Sequence, residues 1–234
     1  MASGAEVKRV EDTLERIGVA YGAERMNVFV ITSSIVITLE RSDGTLLTHT
    51  RRITKSGTDF LALERINALS RECCREPLPL DLFEQRLREC VPPKKQWQMY
   101  LGSVLAAGSF AVFFGGGWKD ALISGIFAVA ISILQDYVEL ICMNTMVFNV
   151  IASFLTGIGI RLICRLVPGL DMDMIMIGDI MLLIPGLMST NAIRDVLIGD
   201  TLSGIIRLIA ALLLAAALAL GFMGAIILFG RFGL

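Results

Sequence analysis

Charge is scarce in this chain. Asp, Glu, Lys and Arg make up 18% of its 234 residues, where an average soluble domain carries about a quarter. Histidine is scarcer still. His49 stands alone in a strand-like run, where it reads as an ordinary strand residue. No G-x-S-x-G surrounds Ser33-Ser34, so these serines lack a nucleophile elbow and read as strand residues too. A hydrolase is therefore disfavoured, and the chain reads as a non-enzyme. Cys73, Cys74, Cys90, Cys142 and Cys164 show neither C-x-x-C spacing nor a neighbouring His cluster. They read as free thiols of a reducing compartment, with no metal and no cofactor expected. A formal net charge of −1 gives no basic surface for nucleic acid. No secretory signal is expected, since the first apolar stretch comes too late and alternates too strongly for one. The N-terminal part is thus expected to stay in the cytoplasm.

What abounds is apolar surface: 55% of residues are hydrophobic and the mean hydropathy is +0.70. The few charges are unevenly placed. Residues 1–98 hold 15 of the 21 Lys and Arg and 14 of the 22 Asp and Glu. The expected fold class is an α-helical polytopic membrane protein of about five transmembrane helices, with a small N-terminal α+β cytoplasmic domain. Its expected division is 1–96 for the cytoplasmic domain and 97–234 for the transmembrane helical domain.

In the head, Val7, Val10, Leu14 and Ile17 recur at helical spacing, which predicts an amphipathic helix ending near Gly22. Residues 26–39 are rich in Val, Ile, Phe and Thr and read as one strand or two. Ser42-Asp43-Gly44-Thr45 is a turn signal, and residues 46–53 read as the antiparallel partner. Leu61, Leu63, Ile66 and Leu69 predict a second helix, ended by Pro77 and Pro79, and residues 80–91 a third. Arg51-Arg52 beside Lys55 reads as an anion or headgroup contact or as a solvated strand end.

In the body, apolar runs over 99–116, 121–134, 145–160, 174–187 and 202–229 predict five spans. The second and fourth fall short of the roughly 20 residues of a crossing unless their polar flanks enter the bilayer. Lys94, Lys95, Trp97 and Tyr100 stand at the start of the first span, as basic and amphipathic residues do on a cytoplasmic side. Residues 115–120 read as a tight outer turn. Five spans with the head inside place the C-terminus outside. Arg161 and Arg165 then sit on the outer side, against the positive-inside tendency, and are read as snorkelling. Small residues (Gly102, Ala106, Gly108, Gly157, Gly204, and Ala211, Ala215 and Ala219) suggest close helix packing.

The densest chemistry follows the fourth run. Asp179 lies inside it, and Pro185 then removes a backbone donor and breaks the helix. Gly186 tolerates whatever dihedrals the break needs. If helix resumes there, Asn191, Arg194 and Asp195 fall at i, i+3 and i+4 and share a face. Asp200 or Thr201 can cap the last helix. Arg207 lies nearly two turns into that helix and needs a partner: Asp179, Asp195, Asp200 or a substrate carboxylate. Ionised groups beside an interrupted membrane helix mark the path of a polar solute. The other reading is a solvated cytoplasmic hairpin over 191–200, which leaves Asp179 and Arg207 unexplained. Asp120 and Asp136, flanking the second span, are secondary candidates or interfacial turn residues.

At these residues the chain resembles the threonine/serine exporter family. The resemblance rests on Leu183-Ile184-Pro185-Gly186, then Asn191-Ala192-x-Arg194-Asp195, Gly199-Asp200, Gly204 and Arg207-Leu208. Phe113-Phe114-Gly115-Gly116 with Trp118 and Asp120, and Arg9-Val10-Glu11, are similar to it as well. Met188-Ser189-Thr190 departs from it in being more polar. The resemblance implies an inner-membrane, proton-driven exporter of threonine/serine-like amino acids or dicarboxylates. It also implies the split, first-half form, which needs a second, smaller membrane subunit. Self-association is the other partnership considered. On this reading Arg207 with Arg194 holds a substrate carboxylate, and Asp179 or Asp195 meets an ammonium or takes the coupling proton. The alternative is a non-transporting regulatory or assembly subunit whose head binds a cytoplasmic partner.

Overall fold

The computed structural model describes residues 5–53, 57, 59–91, 96–138 and 144–232. Lys55, Lys94, Lys95 and Cys142 lie outside them. Contacts gather the chain into two compact units: Met1–Lys94 with Met188–Leu208, and Lys95–Leu187 with Ile209–Leu234.

The first unit opens with helix α1, Val7–Ala20. Three strands follow, β1 Arg25–Ile31, β2 Ser34–Glu40 and β3 Leu46–Arg52, paired antiparallel in the order β1-β2-β3. The long run of β-formers thus splits into two strands. Thr32 and Ser33 make the turn between them, so Ser33, expected in a strand, is a turn residue. Met26, Val28 and Val30 alternate with the more exposed Arg25, Asn27 and Phe29 along β1, and α1 packs on that strand. The Glu11 carboxylate reaches across to accept from the Val30 amide (3.1 Å). Helices α2, Phe60–Arg75, and α3, Leu80–Glu89, complete the head. Asp59 caps α2 by accepting from the Ala62 amide. Leu69, Cys73 and Cys90 form the core between α2 and α3, with Tyr21, Ile66, Leu78 and Phe83 against it. Cys73, Cys74, Cys90 and Cys164 are free thiols.

The second unit holds α4 Gln96–Phe113, α5 Trp118–Val138, α6 Thr145–Leu166 and α7 Met172–Leu183. Beyond Pro185 come α8 Gly186–Ile198 and α9 Thr201–Phe232. Polar flanks do join the second span: α5 takes in Trp118, Lys119 and Asp120 at one end and Gln135 and Asp136 at the other. The turn before it is therefore shorter than the expected 115–120. Among the described residues, three helical stretches, Trp118–Tyr137, Thr145–Leu166 and Thr201–Leu228, are long and apolar enough to cross a membrane. A fourth qualifies if α7 and α8 count as one broken span. Against five expected spans, the difference is α4, whose 18 residues open on Gln96, Trp97 and Gln98. Those three residues spend a turn on polar and amphipathic side chains. The chain is a multi-pass membrane protein, mostly helical, with a small antiparallel sheet near its N-terminus.

In this unit α4, α5 and α7 pack on one another, and Ile160, Ile175, Met176 and Phe222 form a buried cluster. Close approach depends on a glycine the sequence reading passed over. A Cβ on Gly178 would stand 2.6 Å from the Ser124 hydroxyl oxygen and 2.7 Å from the Ala107 carbonyl oxygen. By contrast, among the described residues nothing lies within 4 Å of a Cβ placed on Gly102. Gly178→Val is expected to cost about 1–3 kcal/mol through overpacking and to lower the yield of folded protein in neutral detergent. A thermal-denaturation assay reads this directly; an unchanged melting temperature would show that α7 can move away from α4 without loss.

Candidate functional site

The break at Ile184-Pro185 has a plain backbone cause. Helix α7 ends at Leu183, and Ile184 turns extended, with φ −65° and ψ 131°, as a residue preceding proline does. The Ile184 amide still bonds to the Ile180 carbonyl (3.0 Å), and the Gly186 amide bonds to the Ile184 carbonyl (2.8 Å). Helix resumes at once as α8, which meets the condition for Asn191, Arg194 and Asp195 to share a face.

The far end of α8 is equally determined. Gly199 takes φ +97°, a conformation open to glycine at little cost. Its amide bonds to the Val196 carbonyl (3.1 Å), and the Asp200 amide to the Asp195 carbonyl (2.9 Å). This pair of bonds is a Schellman motif, which satisfies the last carbonyls of the helix. Asp200 then opens α9: its carbonyl accepts from the Gly204 amide (3.0 Å), so Asp200 rather than Thr201 stands at the cap. Gly204 lets the first turn of α9 lie against α8. A Cβ there would fall 2.8 Å from the Ala192 carbonyl oxygen and 2.9 Å from the Val196 nitrogen.

The hairpin so built brings two of the candidate residues together. Arg207 Nη1 lies 3.0 Å from Asp195 Oδ2, with side chains only 14% and 3% exposed. Of the partners expected for Arg207, the structure thus records Asp195. The contact is an ion pair rather than a well-angled hydrogen bond, since Asp195 Oδ2 counts no hydrogen-bond partner among the described residues. Asp200 Oδ2 and the Ser203 hydroxyl are also buried without a hydrogen-bond partner there. An unsatisfied buried oxygen costs about 1–3 kcal/mol. Asn191 is half-buried. Arg194, more exposed, pairs with Glu6 at 2.8 Å. Glu6 was not singled out in the sequence, and nothing local to it could have pointed 188 residues onward.

In the other unit Asp179 is fully buried. Its Oδ1 accepts from the Ser124 hydroxyl (3.0 Å), and its Oδ2 has no hydrogen-bond partner among the described residues. Ser124 was missed in the sequence, where a lone serine in an apolar helix carries no signal. Asp120 and Asp136 have other occupations. Asp120 Oδ2 accepts from the Gly117 amide (2.7 Å) and Oδ1 from the Asp171 amide (2.9 Å). It thereby ties the turn before α5 to the turn before α7. Asp136 accepts from the Tyr100 hydroxyl (2.6 Å), linking α5 to α4. Arg161 rests its guanidinium against the Met172 sulfur (4.0 Å).

Residues 1–229 match the family described as "Putative threonine/serine exporter". The chain is similar to a "Probable succinate transporter subunit YjjP" of Klebsiella aerogenes, with 25% identity over 232 residues, 98% of this chain and 90% of the relative. The Escherichia coli (strain K12) protein of that name is 23% identical over 232 residues, again 98% of this chain and 90% of the relative. No solved structure matches the chain significantly. The match runs through the Pro185-Gly186 break, the Asp195–Arg207 pair and the head alike, and the chain belongs to the threonine/serine exporter family.

Proposed function

We propose that this chain is one subunit of an inner-membrane secondary transporter that exports small carboxylates, dicarboxylates such as succinate or amino acids, in exchange for protons. A second, smaller membrane subunit completes it, and residues 1–96 form its cytoplasmic part. Counting α4 with the four candidate spans gives five crossings and an outward C-terminus. One observation carries the reading: buried carboxyl oxygens without hydrogen-bond partners on Asp179, Asp195 and Asp200, in a membrane chain. Polar groups at such depth are costly and serve solute or proton pathways. Family membership and the names of the two relatives support the solute class.

The chemistry proposed is an exchange of partners at Arg207. A guanidinium binds a substrate carboxylate by the same bidentate geometry as a side-chain carboxylate. An arriving substrate competes with Asp195 for Arg207, and its outward release restores the pair; the counter-moving proton is loaded from outside after the substrate has left and is released inward before the next one binds. Pro185 and Gly186 supply the break, Arg194 and Asn191 line the hairpin, and Asp179 carries protons within the bundle. The test is efflux of labelled succinate, threonine or serine from vesicles bearing both subunits, with and without an imposed pH gradient. Efflux that needs this chain and collapses with a protonophore is expected. Should vesicles lacking this chain export equally well, the chain is a regulatory subunit and the pathway lies in its partner.

A further inference from the structure

Four arginines of the head converge on a groove between α1 and α2. Arg9, Asp12, Thr13 and Arg16 are spaced i, i+3, i+4 and i+7 along one face of α1. Arg71 and Arg75 face them from α2, with Cys74 between. The groove encloses about 340 Å³, and the half-buried Asn67 and buried Ser70 also line it. Arg16 is paired with Asp12 (3.0 Å), both substantially exposed. Arg9, Arg71 and Arg75 form no ion pair among the described residues. One acid against four guanidinium groups leaves a concentrated positive site in a chain whose net charge is −1.

Like charges placed this close repel, and a folded surface gains nothing by collecting them unless an anion answers. Guanidinium forks match phosphate and carboxylate oxygens in pairs, and the volume suits a small metabolite. We propose that this groove binds a small, multiply charged anion, phosphate-bearing or polycarboxylate, as a regulatory ligand of the head. It differs from the Arg51-Arg52 strand end considered in the sequence and shares no residue with the transport site. Its failure would therefore leave the proposed transport function standing.

Cys74 reports on the groove. It is exposed, whereas Cys73 and Cys90 are buried. The full chain in neutral detergent is alkylated with iodoacetamide, and modification of Cys74 is followed by peptide mass. About millimolar pyrophosphate is expected to slow Cys74 modification roughly threefold or more, an occupancy ordinary for a few charge-assisted contacts. Chloride at matched ionic strength controls for screening. Protection should vanish in the Arg71→Gln/Arg75→Gln variant, whose intact fold is checked by its melting temperature. Equal protection by chloride, no protection by pyrophosphate, or protection that survives the double substitution overturns the proposal. A second arm uses vesicles of neutral phosphatidylcholine with or without phosphatidylglycerol. Protection by the anionic vesicles alone, with none from pyrophosphate, would assign the arginines to a lipid surface and overturn the soluble ligand.

Discussion

Arg207→Ala is expected to abolish export and to destabilise the protein at once. The substitution leaves the Asp195 carboxylate, 3% exposed, without its cation 3.0 Å away. Breaking a buried pair from one side costs about 3–5 kcal/mol, a large share of the roughly 5–15 kcal/mol that holds a typical domain folded. Loss of transport in that variant alone would therefore not separate chemistry from folding. The double variant Asp195→Asn/Arg207→Gln separates them. It removes both charges together, keeps polar side chains of similar size and is expected to recover most of the melting temperature. Export should stay at background, because neither the guanidinium that receives a substrate carboxylate nor the carboxyl that answers it remains. A double variant that exports at the parental rate would reduce the pair to a structural clasp for the α8–α9 hairpin.

How far this could be read beforehand depends on the range of each interaction. The Ser42-Asp43-Gly44-Thr45 turn, the Pro185 break and the resumption of helix at Gly186 are local events. Each follows from the dihedral limits of one or two residues, and each is where the sequence placed it. The Asp195–Arg207 pair is nearly local. The partners are twelve positions apart, but the Schellman turn at Gly199 folds them face to face, and Arg207 had three carboxylates within reach on paper. Ser124 beside Asp179, Glu6 on Arg194, and the packing at Gly178 depend on which helix faces meet. Periodicity does not encode that in helices that are apolar all round. The fifth span turns on α4, where Gln96 and Gln98 extend the helix while lowering its hydropathy, so helix length and apolar length part company there. The arginine groove is not legible in the sequence, because Arg9 and Arg16 lie on one helix and Arg71 and Arg75 on another some 55 positions further along the chain. Only their docking makes four charges one site.

Asp179→Asn should leave the fold nearly intact and remove proton drive. The Ser124 hydroxyl donates to Asp179 Oδ1 at 3.0 Å, and an asparagine carbonyl oxygen can accept the same bond. The amide nitrogen takes the place of Oδ2, already buried without a hydrogen-bond partner among the described residues. Accumulation in the membrane and melting temperature are thus expected to stay close to the parental values, in contrast to Arg207→Ala. An amide can neither gain nor lose a proton at working pH, so a step that needs a titrating carboxyl stops. Export driven by a pH gradient should fall at least about tenfold, equivalent to about 1.4 kcal/mol of barrier. Substrate exchange at equal pH, which moves no net proton, should continue through the unaltered Arg207. Gradient-driven export that persists at full rate would place the coupling proton elsewhere, with Asp195 the next carboxyl to substitute. Loss of both modes together would instead assign Asp179 to the solute path itself.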